Sequence, residues 1–141
     1  FPFYGFGKWV DKNMEHCPFL AEFLKNIKGL RTALLSKLGP NTILEKHRGW
    51  GDLSNDVLRV HYGIKVPDNC WVGVENEREK HENNKIIVFD DSKVHWAENN
   101  SDEERIVLIL DIERPWYVKK GDAPDGYTDE LDKFISEMCA S

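Results

Sequence analysis

Three of the five histidines have neighbours that matter chemically. His47 opens the run His47-Arg48-Gly49-Trp50-Gly51, a His-x-Gly where a metal motif of the His-x-Asp type would carry a carboxylate. His61 follows Arg59 at alternate spacing, and His95 closes Phe89-Asp90-Asp91-Ser92-Lys93-Val94-His95, with Arg105 ten residues on. Neutral imidazole is a ligand for iron and its neighbours in the first transition row. The guanidinium group offers a planar fork matched to a carboxylate, which lysine does not. Taken singly, each histidine is more often a hydrogen-bonded structural residue, and Arg105 has an alternative in a surface ion pair with Glu103 or Glu104. Their combined pattern is what raises the odds of a functional role. His16 and His81 are expected at the surface, His81 within the charged, solvated hairpin end Asn76–Lys85.

These groups need a scaffold. Residues 1–16 are aromatic and irregular and predict coil or a short strand. Phe19, Leu20, Phe23, Leu24 and Ile27 recur at helical spacing behind Pro18, so one short amphipathic helix is expected, ending near Gly29. Short runs rich in branched residues come next, separated by turn signals such as Pro67-Asp68-Asn69 and Asn83-Asn84. They favour an antiparallel sandwich or barrel over a parallel α/β sheet. The run Val57–Val66 alternates, with Arg59 and His61 on one face and Leu58, Val60 and Tyr62 on the other. A barrel with a polar interior would use the Arg59/His61 face for a ligand. The tail Tyr127–Met138 predicts a closing helix with Thr128 as N-cap.

The 141 residues fit one domain with a real core. A net charge of −6 speaks against nucleic acid and anionic lipid as general partners. Cys17, Cys70 and Cys139 are odd in number and widely spaced, which argues against a disulfide framework or a zinc knuckle. No apolar run approaches the roughly 18 residues of a membrane span, and no signal peptide is visible. Cysteine usage and the lack of a leader favour a reducing, cytoplasmic interior.

Four stretches carry a family resemblance: GPNTILEKHRG (39–49), LRVHYGIKVP (58–67), KIIVFDDSKVHWAEN (85–99) and RIVLILDIERPW (105–116). From about Trp9 to Trp116 the chain resembles the aspartyl/asparaginyl β-hydroxylases, which are Fe(II)- and 2-oxoglutarate-dependent oxygenases. The resemblance implies a single oxygenase domain over residues 1–141. Its expected fold is mainly β: a double-stranded β-helix, or jelly-roll/cupin-like barrel, with flanking N- and C-terminal helices. His47 and His95 would bind the metal. Gly49 would stand where some members lack the carboxylate ligand, leaving a position for water, chloride or, if the loop folds back, Asp52. Arg105, with Ser36 beside it, would take the far carboxylate of 2-oxoglutarate, and Arg59 and His61 its metal-bound end.

The implied reaction hydroxylates a C–H bond of an aspartyl or asparaginyl residue, in a peptide or small molecule, with O2 as oxidant. One of Asp90 and Asp91 would orient His95, and the other would cap the turn. Trp50 and Trp96 flank the proposed ligands and either hold substrate or pack the core. Two alternatives stand beside this reading. An iron halogenase would place chloride in the vacated position, and a non-catalytic cupin-like module would capture an anion through Arg59 and Arg105.

Overall fold

The computed structural model describes residues 1–125, with Lys133 and Ser136 described singly as helical. The expected closing helix and Cys139 otherwise lie outside the described residues. In chain order the strands are β1 (Pro2–Gly5), β2 (Lys8–Trp9), β3 (Leu30–Leu38), β4 (Thr42–His47), β5 (Val57–Lys65), β6 (Cys70–Val74), β7 (Glu77–Lys80), β8 (Ile86–Phe89), β9 (His95–Asn99) and β10 (Arg105–Glu113). Helices α1 (Asp11–Met14) and α2 (Pro18–Lys25) precede β3, and α3 (Gly51–Ser54) comes after β4.

The strands make two antiparallel sheets, ordered β2-β1-β3-β10-β5-β8 and β4-β9-β6-β7. This is the expected mainly-β, jelly-roll type of architecture, with helices flanking it on the N-terminal side. The aromatic N-terminus is more regular than expected, because Tyr4 and Trp9 pair across the β1–β2 hairpin and Tyr4 also pairs with Ala33 of β3.

The period of two along each strand sorts the large sheet into two unlike faces. On one face Phe3, Ala33, Leu108 and Leu110 pack under Met14, Ala21 and Leu24 of the helices. On the other, Ser36 of β3, Arg59 and His61 of β5, and Arg105 and Ile109 of β10 turn toward the small sheet and line a cavity. Both faces of β10 are therefore covered, so its sequence reads as a nearly continuous apolar run with Arg105 at one end and buried Asp111 near the other.

Turns sit where the sequence signals them: Asn69 and Asn84 both take positive φ, at 71° and 62°, a conformation asparagine tolerates better than most residues. Among the described residues, no helix is long and apolar enough to cross a membrane. Cys17 and Cys70 are free thiols.

Candidate active site

The site begins with an extra residue in β4. Leu44 is opposite Ala97 and His47 is opposite His95, so three steps on β4 match two on β9. A bulge of this kind flips the facing of the residues beyond it. Without it Lys46 would point inward; with it His47 does. The His47 and His95 rings then lie 4.3 Å apart between centroids, inclined by 61°.

Each ring is oriented the same way. His47 Nδ1 is 2.7 Å from Glu45 O and His95 Nδ1 is 2.8 Å from Lys93 O. A carbonyl oxygen only accepts, so both Nδ1 atoms carry the proton and donate. The lone pair of each neutral ring is therefore on Nε2, the tautomer a metal ligand needs.

The space of a side chain at residue 49 is filled from elsewhere in the chain. A Cβ on Gly49 would lie 1.8 Å from Ser54 Oγ and 2.1 Å from Asp91 Oδ2. Glycine is thus required at 49 because the Asp91 carboxylate occupies the space of a side chain there. Asp91 is 2 % exposed. Its Oδ2 accepts from Ser54 Oγ at 2.6 Å, while Oδ1 lies 3.1 Å from Arg59 Nη1 and 3.2 Å from His95 Nε2.

Burial alone would raise the Asp91 carboxyl, but Arg59, His95 and Ser54 outweigh it and hold the group ionised. Burial dominates at His95, which is pushed below the usual imidazole value despite the opposing pull of Asp91. A carboxylate oxygen and an imidazole lone pair 3.2 Å apart are both acceptors, and a cation between or beside them relieves the repulsion. The donor set thus fits a divalent metal. Among the described residues, no group of three or more His, Cys, Asp and Glu is arranged to ligate one, which leaves two imidazoles with an adjacent carboxylate. Asp52 is exposed on α3 and does not line the cavity.

The two acids of the Asp90-Asp91 turn divide the roles. Asp90 caps the turn through Ser92, whose Oγ donates at 2.6 Å, and takes an ion pair from Arg114. Arg114 also donates to the carbonyls of Ser54, Val57 and Lys119, tying α3 and β5 to this turn.

Deeper in the cavity lies Arg105, 3 % exposed. Its Nη2 donates to Ser36 Oγ at 3.2 Å, while its Nε has no hydrogen-bond partner among the described residues. Among the described residues no carboxylate pairs with it. Burial lowers its pKa to about 10, which still leaves it charged at neutral pH. The expected alternative, an ion pair with Glu103 or Glu104, does not form; Glu104 pairs with Lys37.

Arg59 reaches the cavity too, but both Nε (2.8 Å) and Nη2 (3.0 Å) of its fork donate to the buried Asp111. It stands between two acids and fixes the position of Asp91. His61 lines the cavity and is held neutral chiefly by burial. Trp50 and Trp96 both line it as well; Trp96 also carries Lys46 Nζ 4.9 Å above its ring.

Two residues exceed their sequence-based expectation. His81 is not solvated but 1 % exposed, its backbone N–H donating to Cys70 O at 2.8 Å. The signal was available: counting outward along the β6–β7 hairpin, Trp71 faces Lys80, so His81 comes opposite the buried Cys70. Asp111, noticed only as part of a motif, is the acid that anchors Arg59.

The cavity occupies about 220 Å³. Residues 1–115 match the family model described as Aspartyl/Asparaginyl beta-hydroxylase. An ornithine lipid ester-linked acyl 2-hydroxylase of Rhizobium tropici is 36% identical over 114 residues, covering 79% of this chain and 40% of that protein. The aspartate beta-hydroxylase domain-containing protein 2 of Mus musculus is 28% identical over 124 residues, covering 82% of this chain and 35% of its own. The chain thus spans well under half the length of these relatives. Among solved structures, a predicted oxalate decarboxylase from Thermotoga maritima superposes with a TM-score of 0.49 at 14% identity, covering 77% of this chain and 78% of that one.

Proposed function

The chain belongs to the aspartyl/asparaginyl β-hydroxylase family, and on that premise we propose that it is an Fe(II)- and 2-oxoglutarate-dependent hydroxylase with its metal on His47 and His95. The observation that carries this reading is the buried Arg105, a guanidinium beside Ser36 in the same cavity as the histidine pair, with no carboxylate against it among the described residues. A buried charge without a partner is costly, and an anionic ligand entering the cavity removes that cost.

Bound at the histidines, Fe(II) supplies the activation of O2 that couples two changes: 2-oxoglutarate goes to succinate and CO2, and one oxygen atom enters a C–H bond. The protein's part is placement and charge. His47 and His95 present Nε2 lone pairs from rings locked through Nδ1. Asp91, ionised and pinned by Arg59 and Ser54, sets a negative charge beside the metal position without standing at residue 49. Arg105 and Ser36 receive the far carboxylate of the co-substrate. His61 adds a neutral polar edge near its other end.

We read residues 1–141 as one oxygenase unit. Leu44, Trp50, Leu53 and Trp96 give the cavity an apolar side, which suits a substrate offering a hydrocarbon portion rather than a bare charged group. The name of the Rhizobium tropici relative, an acyl 2-hydroxylase, agrees with that preference.

Calorimetric titration of 2-oxoglutarate into the Mn(II)-loaded protein tests the co-substrate site. Binding is expected in the wild type and loss of about 100-fold or more in affinity in Arg105→Met, since a charge-assisted pair is removed from a dry site. Equal affinity in the two proteins would contradict the assignment of Arg105.

A further inference from the structure

His81 has no part in the chemistry described so far, yet it is a fully buried, polar ring. Its Nε2 lies 3.4 Å from His61 Nδ1. The two rings are within 10° of parallel, with centroids 5.4 Å apart. That separation is too large for rings lying face to face, and it suits coplanar rings meeting edge to edge through their nitrogens. Its other nitrogen, Nδ1, is buried with no hydrogen-bond partner among the described residues.

One proton must lie between the rings, and two arrangements place it. If His61 Nδ1–H donates to His81 Nε2, the neutral His81 must carry its own proton on Nδ1, a buried donor with nothing to receive it. If His81 Nε2–H donates to His61 Nδ1, the buried Nδ1 of His81 is only a bare acceptor. Orphaned buried donors are the rarer and costlier of the two. A second proton, making either ring cationic, is opposed by burial, by Arg105 near both rings and by Lys85 near His81.

We propose that His81 is a positioning residue that holds His61 in its Nε2–H tautomer, so that His61 offers a neutral hydrogen-bond donor to an anion in the cavity. The opposite tautomer would turn a lone pair toward that anion and repel it. His81 thereby sets the sign of the dipole His61 shows to the ligand, from a strand end of the other sheet, without adding a third positive charge beside Arg59 and Arg105. The consequence for binding rests on the co-substrate reading above; the tautomer itself does not.

The test has two arms on the full chain. In the first, the imidazole 15N shifts of labelled protein give the His61 tautomer directly. The wild type is expected to be Nε2–H, with loss of that preference in His81→Phe and its recovery in His81→Gln, whose amide N–H can donate to His61 Nδ1. In the second, the KM for 2-oxoglutarate is expected to rise about tenfold in His81→Phe, with kcat within about twofold and most of the loss regained in His81→Gln. A wild-type His61 in the Nδ1–H form, or a tautomer unmoved in both variants, overturns the proposal. Failure of the co-substrate reading shows separately, as a wild type that does not bind 2-oxoglutarate, and the 15N arm then still decides the role of His81.

Discussion

Gly49 shows how an apparent omission in a motif can be a steric requirement. The sequence leaves three candidates for the vacated carboxylate position, namely water, chloride and Asp52. The fold fills the space beside residue 49 with Asp91, forty-two residues away in the chain and four before His95. No reading of local spacing could find this, because the contact depends on how the β8–β9 turn meets the start of α3. Gly49→Ala is therefore expected to destabilise the protein by about 1–3 kcal/mol through overpacking, read from the urea midpoint, and to weaken metal binding by displacing Asp91. A midpoint and metal affinity equal to wild type would show that the site gives way freely. Arg105 makes the opposite trade. Its type and its place in an apolar strand were legible in the sequence, whereas Ser36 beside it was expected only from the family resemblance. Arg105→Met should raise the thermal midpoint of the ligand-free protein, because it removes a buried charge that has no acidic partner among the described residues; a lowered midpoint would mean that the guanidinium serves the fold rather than a ligand.

At the scale of elements, the strands were largely visible and their irregularities were not. Alternation identified the Arg59/His61 face of β5, but the two options for that face, solvent or cavity, were decided by the second sheet. The bulge in β4 has no strong sequence mark in Glu45-Lys46, yet it determines that His47 rather than Lys46 enters the cavity. The β6–β7 hairpin looked like a solvated charged loop because Glu77, Arg78 and Glu79 are exposed; the next inward position, His81, was lost in that pattern.

The buried pair of His81 after β7 and His61 on β5 makes stability depend on pH. Burial lowers His61 well below 6.5 and takes His81 to about 4, with Arg105 adding to both. The unfolded chain then binds these protons more readily than the folded one. Stability is full above about pH 6.5 and is lost as pH falls, with His81 alone contributing a loss of about 2 kcal/mol by pH 5. Below the usual carboxylate value of 3.8 a second loss sets in, since Asp90 and Asp91, despite the raising effect of burial, are held lower in the fold by their hydrogen bonds and ion pairs. Urea midpoints should therefore decline between pH 7.5 and 5 and again below about 4; a flat profile across both windows would contradict the neutral, buried state of the histidines.

For the molecule as a whole, the division of labour comes from one sheet covered on two sides. Helices α1 and α2 seal an apolar core against its outer face, which frees the inner face to carry Arg59, His61 and Arg105 at the polar positions. The small sheet contributes the two imidazoles from neighbouring strands, so the histidine pair and Arg105 line one cavity from opposite sides of the sandwich. The fold itself is as expected, mainly β with two antiparallel sheets. The apolar side of the cavity was the least legible part, since it is built from single residues on β4, at the start of and within α3, and on β9 that share no pattern.

The most direct measurement is succinate formed from 2-oxoglutarate, with Fe(II) and O2 supplied, by the wild type, His47→Ala and His95→Ala, each first shown to be folded by circular dichroism. Turnover is expected in the wild type and loss of at least about 100-fold in each variant. Turnover undiminished in either variant would contradict a metal shared by these two rings.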